Sequence, residues 1–156
     1  MMRRFQPFFF PGTGSVVEVG SGDGEGYTVN IPWTETGMSD GDYMAAFHLI
    51  VDPIAREFAP DLVLISAGFD AGQGDPLGGM ALSEAGYMHM VTRIMRHAKQ
   101  KRCVAALEGG YNLDTIAAAA AATCRALLGQ KPKPLSECSP SPHPRPLSMD
   151  IIREVR

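Results

Sequence analysis

Two short apolar runs dominate the hydrophobic pattern of the chain, and each of them ends in a glycine-rich turn. Residues 61–66 and 103–107 have the length and the apolar content of buried strands. A helix-like segment separates the two runs, and an alanine-rich helix is expected over 113–128, ending at Gly129. This alternation predicts parallel βαβ units and places the sequence in the α/β class.

Asp70 and Tyr111 lie where the two predicted strands end. Because open α/β sheets bind ligands at the carboxyl ends of their strands, both side chains are expected to face one crevice. Glycines around Asp70 let the backbone approach a ligand closely, and a carboxylate is a hard ligand suited to a divalent metal. The Tyr111 phenol is a neutral donor at physiological pH, which suits it to stabilising an oxyanion. A turn-forming role for Asp70 and a simple hydrogen-bonding role for Tyr111 are the alternatives.

Other polar residues near these turns carry weaker predictions. Asp75 precedes a proline and is expected to shape its turn, whereas Glu108 is either a metal ligand or a residue that holds its loop. His89 and His97 lie too far apart on one predicted helix to share a metal, and both are expected at the surface. The residues therefore identify no general base.

Serines and a proline mark the predicted helix boundaries. Ser39 and Ser83 are expected N-caps, and Pro53 is expected to kink the first helix or to begin a second segment.

The glycine-rich stretch 20–26 does not fit a dinucleotide-binding turn. Its glycine spacing is wrong, and a strand-like segment follows it instead of a helix.

The two ends of the chain have distinctive compositions. Residues 8–10 are consecutive phenylalanines between prolines, which predicts an ordered loop whose rings either fill the core or form a pocket wall. Prolines are frequent after residue 129, which predicts a linker or an extended tail over 130–156 rather than a part of the core. Another helix can begin near Met149.

Composition narrows the class of protein. The 156 residues are 45% hydrophobic and 20% charged with a net charge of −3, which is ordinary for a globular protein and gives no indication of nucleic-acid binding. The three cysteines have no metal-binding spacing and favour a reducing compartment. No apolar run approaches the roughly 18 residues of a membrane span, and no signal peptide is recognisable, so an intracellular protein is expected.

Four motifs together resemble the carboxyl-terminal half of the catalytic domain of zinc-dependent histone deacetylases. They are Phe-Phe-Pro-Gly-Thr-Gly at 9–14, Ser-Ala-Gly-Phe-Asp at 66–70, Gly-Asp-Pro-Leu-Gly-Gly at 74–79 and Leu-Glu-Gly-Gly-Tyr-Asn-Leu at 107–113. The resemblance covers about residues 5–129, and the last two motifs are similar to the class II branch. It implies a three-layer, arginase/deacetylase-like α/β fold with a mostly parallel sheet, incomplete at the amino terminus, and a partial catalytic domain over 1–129.

The resemblance also implies an activity, the hydrolysis of N-acetyl-lysine to lysine and acetate. By motif match, Asp70 is expected to be a Zn²⁺ ligand and Tyr111 the donor that polarises the acetyl carbonyl. Phe10, Leu77 and Gly110 are expected to line the acyl-lysine tunnel. The implied partners are acetylated histones or other acetyl-lysine proteins, together with co-regulator proteins, in the nucleus or the cytoplasm.

The family's paired histidines and its Asp-x-His motif lie upstream of the Phe-Phe-Pro loop and are not in this sequence. One of three expected protein ligands is therefore present, and the chain alone is predicted to be inactive. Two hypotheses follow, a fragment of an active deacetylase or a short product that acts as an interaction module without catalysis. An unrelated nucleotide-binding α/β protein is disfavoured by the glycine spacing.

Overall fold

Strands and helices alternate along most of the chain in the computed structural model, which describes residues 2–4 and 12–155. The described strands are β1 (Met2–Arg4), β2 (Ile31–Trp33), β3 (Val63–Ala67) and β4 (Cys103–Leu107). The described helices are α1 (Asp40–Ala46), α2 (Asp52–Phe58), α3 (Glu84–Met95), α4 (Leu113–Leu127), α5 (Leu135–Cys138) and α6 (Pro146–Val155). A π-helical turn covers Phe47–Val51, and 3-10 turns cover Gly22–Gly24 and Lys99–Lys101. None of the helices within these ranges is long and apolar enough to cross a membrane.

The strands β3 and β4 are parallel neighbours, as the two apolar runs predicted. Val63 pairs with Cys103 and Ala67 pairs with Leu107, so the two strands end at the same edge. Parallel neighbours need a crossover connection, which α3 provides here. The strands β1 and β2 form a separate parallel pair. The predicted βαβ unit is therefore confirmed.

The helices α3 and α4 cover one face of the β3–β4 pair. Ile65 of β3 packs against a cluster formed by Val91 of α3 and Ala126 of α4, and Ala119 of α4 is 1% exposed in the main core. The small alanine side chains of α4 let this helix approach its neighbours closely. The opposite face of the strand pair carries Leu64 and Val104, with exposed fractions of 73% and 54%. Within the described residues, this strand pair is thus covered on one side only.

Both predicted serine caps begin helices in the structure. The Ser83 hydroxyl accepts a hydrogen bond from the Gly86 N–H at 3.2 Å at the start of α3. At the start of α1, the Asp42 carboxylate accepts the Ser39 N–H at 2.8 Å. These bonds satisfy amide groups that have no partner inside the first turn of a helix, which explains why the helices begin where they do.

The predicted break at Pro53 takes the form of a π-helical turn. A proline inside a helix lacks an N–H group and clashes with the carbonyl group four residues before it. The helix accommodates Pro53 by widening just ahead of it, where the Asp52 N–H donates to the Phe47 carbonyl. The segments α1 and α2 therefore continue each other through this turn. The helix α2 ends at Phe58, and the next residue, Ala59, is its C-cap with a φ of 48°.

The proline-rich segment after residue 129 is not an extended tail. Ile151 and Ile152 of α6 have exposed fractions of 5% and 1% and belong to the main core. The Arg145 N–H donates to the Asp42 carboxylate at 2.7 Å, and the Arg145 guanidinium pairs with the same group at 3.3 Å. The expectation that residues 130–156 lie outside the core is therefore wrong for α6.

The position of the prolines explains this correction. Most of them lie ahead of α6, and Pro146 is its first residue, where a missing N–H costs no helical hydrogen bond. Behind it, Leu147, Ile151 and Val155 recur at helical spacing and form an apolar stripe that packs on the core. The proline content of the segment hid this stripe.

We expect Ile152→Ala to lower the free energy of unfolding by about 2–5 kcal/mol, because it leaves a cavity at a position that is 1% exposed. The matched control is Ile54→Ala on α2, where the side chain is 44% exposed and the expected loss is about 0.5 kcal/mol. Urea unfolding followed by circular dichroism measures both. Equal small losses would contradict the docking of α6 on the core.

Candidate functional site

Asp70 sits at the point where the ends of β3 and β4 meet. The Phe69 N–H donates to the Gly109 carbonyl at 2.7 Å, which ties the turn after β3 to the turn after β4. A Cβ atom built on Gly68 would lie 3.2 Å from one carboxylate oxygen of Asp70, and one built on Gly109 would lie 3.2 Å from the other. The two glycines therefore leave room for the Asp70 carboxylate between the strand ends.

Asp75 joins the two turns through hydrogen bonds. Its Oδ1 accepts the N–H groups of Leu77 at 2.8 Å and Gly78 at 2.9 Å, which is the turn-forming role predicted from the sequence. Its Oδ2 accepts the Tyr111 N–H at 2.8 Å, a contact that the sequence did not predict. The carboxylate is buried, so these bonds form where water does not compete with them. Asp75 therefore fixes the Tyr111 backbone relative to the turn that follows Asp70.

The start of α4 adds a second connection between the turns. The Asn112 side chain caps the helix by accepting the N–H groups of Asp114 and Thr115, both at 3.1 Å. Its amide nitrogen donates to the Gly74 carbonyl at 3.0 Å, and the Thr115 hydroxyl donates to the Gln73 carbonyl at 2.8 Å. The loop over residues 70–79 is therefore held against the first turn of α4.

The predicted site residues differ from one another in their solvent exposure and backbone conformation. Tyr111 and Leu77 are exposed at the surface of the joined turns, with exposed fractions of 57% and 54%. Gly110 has a φ of 134°, and a Cβ there would lie 2.8 Å from Cγ1 of Ile116, so this position requires glycine. Phe10 lies outside the described residues. The tunnel-lining roles of Phe10, Leu77 and Gly110 stay predictions.

The electrostatic setting of Asp70 favours a nearby cation. Burial raises the pKa of Asp70 above its usual value, and the negative charges of Asp75 and Glu108 raise it further, against lowering contributions from the backbone N–H groups of Asp70 and Ala71. A buried carboxylate with other carboxylates near it is stabilised when a cation binds beside it. A cation beside Asp70 would therefore lower the pKa of this carboxyl group.

The donor groups of the described residues do not complete a zinc site. Among them, no three His, Cys, Asp or Glu side chains are arranged to hold a metal ion. His89 bonds to the Lys133 carbonyl at 2.7 Å, and His97 bonds to Asp52 at 3.0 Å, so both have structural partners. Both histidines are half-buried, so neither has the fully exposed surface position that was expected. Asp70 fits one ligand of a zinc site, but catalytic zinc normally has three protein ligands.

Comparison with known proteins agrees with this geometry. The model of the histone deacetylase domain matches residues 2–127. The chain belongs to the histone deacetylase family. It is 43% identical over 149 residues to histone deacetylase HDA1 of Candida albicans, covering 94% of this chain and 17% of that protein. It is 50% identical over 125 residues to histone deacetylase 15 of Arabidopsis thaliana, covering 80% of this chain and 22% of that protein.

The solved structures identify the fold. The histone deacetylase Clr3 superposes with a TM-score of 0.91 at 41% identity, over 99% of this chain and 26% of the Clr3 chain. The arginase/deacetylase-like α/β fold expected from the sequence is thus confirmed for the part that this chain represents, and its relatives are of the class II type. The chain spans about a fifth of the length of the curated relatives it matches.

We expect Gly78→Ala to destabilise the site loop, because a Cβ at this position would overlap the backbone carbonyl of Asp70. Overpacking of this kind costs about 1–3 kcal/mol, and it should also expose the Tyr111 N–H by displacing the loop that Asp75 holds. Urea unfolding measures the loss, and amide hydrogen exchange at Tyr111 measures the opening.

The matched control for this substitution is Gly24→Ala. A Cβ at Gly24 would meet no atom within 4 Å, so its stability and the exchange at Tyr111 should stay unchanged. Equal behaviour of the two variants would show that the close contact between Gly78 and Asp70 does not hold the loop.

Proposed function

We propose that this chain forms part of the active site of a zinc-dependent deacetylase that hydrolyses N-acetyl-lysine to lysine and acetate. The observation that carries the proposal is the Asp75 carboxylate, which accepts the Tyr111 N–H at 2.8 Å and the N–H groups of the loop after Asp70. It holds the two residues with chemistry suited to this reaction on adjoining turns. Family membership supports the same reaction class.

Asp70 is proposed as a metal ligand. The side chain lies between the glycines of two strand ends, and within the described residues no Lys, Arg or His forms an ion pair with it. A carboxylate that is partly buried without a cation is costly to keep ionised, and metal binding offsets this cost. The remaining ligands and the base that activates water are proposed to come from parts of the deacetylase domain other than these residues.

Tyr111 is proposed as the hydrogen-bond donor to the acetyl carbonyl oxygen. Its backbone is fixed by Asp75 while its side chain stays exposed, so the phenol is accessible to a substrate. The phenol O–H donates a hydrogen bond to an oxygen that gains negative charge in the reaction. Loss of one such donor typically lowers kcat by about 10²–10³.

The substrate is proposed to be an acetylated histone or another acetyl-lysine protein. Leu77 lies on the same loop as Asp75 and is exposed, so it is available to contact the aliphatic part of an acyl-lysine side chain. Phe10 and Gly110 are proposed to line the same tunnel by their match to the family's motifs. A nuclear or cytoplasmic location and contact with co-regulator proteins belong to this proposal.

A second candidate function is an interaction module without catalysis. The exposed apolar face of β3 and β4 favours it, because Leu64 and Val104 stand uncovered at 73% and 54% exposure. An apolar surface of this kind binds a protein partner or the remainder of a domain. The two candidate functions predict different zinc contents and turnover when another protein supplies the remaining zinc ligands.

A chimera separates the two functions. Residues 2–127 of this chain replace the corresponding segment of Clr3, and zinc content and acetate release from an acetyl-lysine peptide are measured. We expect stoichiometric zinc and turnover, with kcat about 10²–10³ lower in Tyr111→Phe at unchanged zinc content. Asp70→Asn should lose zinc as well as turnover.

Tyr27→Phe is the matched control in this chimera, because Tyr27 is also exposed, at 76%, and lies in a different loop. It should leave both readouts unchanged. A folded chimera without zinc or turnover would contradict the catalytic proposal and favour the interaction module. Full turnover in Tyr111→Phe would contradict the role of the phenol.

A further inference from the structure

A positively charged cavity of about 190 Å³ lies between α2 and α3. It is lined by Asp52, Arg56, Arg93, Arg96 and His97. It lies at the carboxyl-terminal end of α3, whereas the loop that carries Asp70 packs at the other end of this helix, where the Leu82 N–H donates to the Ala71 carbonyl at 3.1 Å. A helix of 12 residues is about 18 Å long, so the cavity is separate from the candidate active site.

Helical spacing brings these side chains together. Asp52 and Arg56 lie one turn apart on α2. Arg93 lies in the last turn of α3, and Arg96 and His97 continue that turn directly after Met95. Residues three and four apart on a helix share a face. The two polar faces therefore meet across the cavity.

Asp52 organises one side of the cavity. Its carboxylate accepts the Arg93 Nε–H at 2.9 Å and contacts His97 Nε2 at 3.0 Å. Burial raises the pKa of Asp52, but the hydrogen bonds from Arg93 and His97 outweigh this effect and hold the pKa below its usual value. Asp52 is therefore ionised at neutral pH, and Arg93 neutralises its charge.

Arg56 and Arg96 are left without a counter-charge. Both are exposed, and within residues 2–4 and 12–155 neither guanidinium group makes a hydrogen bond or an ion pair. Three arginines and one aspartate line this cavity, so these four side chains carry an excess of two positive charges. The dipoles of α2 and α3 favour cations at the carboxyl-terminal end of each helix. They do not explain why the cations of both helices line one cavity.

We propose that this cavity binds a phosphoryl-class oxyanion, with Arg56 and Arg96 as its principal ligands. The planar guanidinium group matches the oxygens of a phosphate with paired N–H donors. Both guanidinium groups line the same cavity, so one anion with several oxygens, such as inorganic phosphate or a phosphomonoester, can contact both. The excess positive charge matches the negative charge of such a group. This site is independent of the proposed deacetylase activity.

Titration of the full chain with inorganic phosphate at pH 7 and constant ionic strength tests the proposal. Binding is followed by NMR through the arginine Nε–H signals and the His97 ring signals. We expect saturable shifts in the wild type. Arg56→Gln and Arg96→Gln should each weaken the affinity about tenfold, the effect of removing one charge-assisted contact. Both residues are exposed and unpaired, so the variants keep the fold.

Arg125→Gln is the matched control, because it removes the same charge from an exposed position on α4 outside the cavity. It should change the affinity less than about twofold. A lack of saturation in the wild type, or an equal loss in Arg125→Gln, would overturn the proposal. A phosphoserine peptide that binds more tightly than inorganic phosphate would support the site and identify a phosphorylated side chain as the source of the anion.

Discussion

The buried carboxylate of Asp75 is the interaction on which the candidate site depends. Three backbone N–H groups from two turns converge on its oxygens, at 2.8, 2.9 and 2.8 Å. Hydrogen bonds to an ionised group are stronger than those between neutral groups, and the cost of leaving such a group unpaired is larger still. These bonds therefore fix the position of the loop after β3 relative to the start of α4. The backbones of Asp70 and Tyr111 are held in place with these two segments.

Buried carboxylates that accept hydrogen bonds also join other segments of the chain that are distant in sequence. Asp40 is fully buried and accepts the Ser83 N–H at 2.9 Å and the Ser83 hydroxyl at 2.6 Å, which joins α1 to the start of α3. Asp42 is also fully buried and joins α1 to Arg145 ahead of α6. Buried carboxylates are tolerated only when their oxygens are satisfied, so each of these contacts specifies one arrangement of the segments it joins.

Local sequence patterns predicted the strands and the helix starts, but they did not predict contacts between residues far apart in the sequence. Apolar runs predicted β3 and β4, and Ser39 and Ser83 predicted the helix starts, because strand burial and capping depend on residues close in sequence. The docking of α6 was missed because the prolines hid its apolar stripe, and because the bond that anchors the segment joins Arg145 to Asp42, 103 residues away. The turn-forming role of Asp75 was predictable from the proline that follows it, but its bond to Tyr111 crosses 36 residues.

Two arguments predicted the candidate site from the sequence. One is that open α/β sheets bind ligands at the carboxyl ends of their strands, and the other is the resemblance of four motifs to a known family. The carboxyl ends of parallel strands place Asp70 and Tyr111 at one edge, and the structure joins their turns there. The roles proposed for them in zinc binding and acyl-oxygen stabilisation depend on the family resemblance, because the donor groups in the described residues do not complete a metal site. The basic cavity of Arg56 and Arg96 was missed since its two helix faces meet only in the folded chain.

We propose that this chain supplies part of a deacetylase site whose remaining ligands come from other parts of the domain. The direct test is to purify the chain, add zinc, and measure bound metal and acetate release from an acetyl-lysine peptide. We predict no stoichiometric zinc and no turnover, because Asp70 is one of the three protein ligands that catalytic zinc normally requires. Turnover that is abolished by Tyr111→Phe would contradict the account, since it would show that these residues complete the site without further ligands.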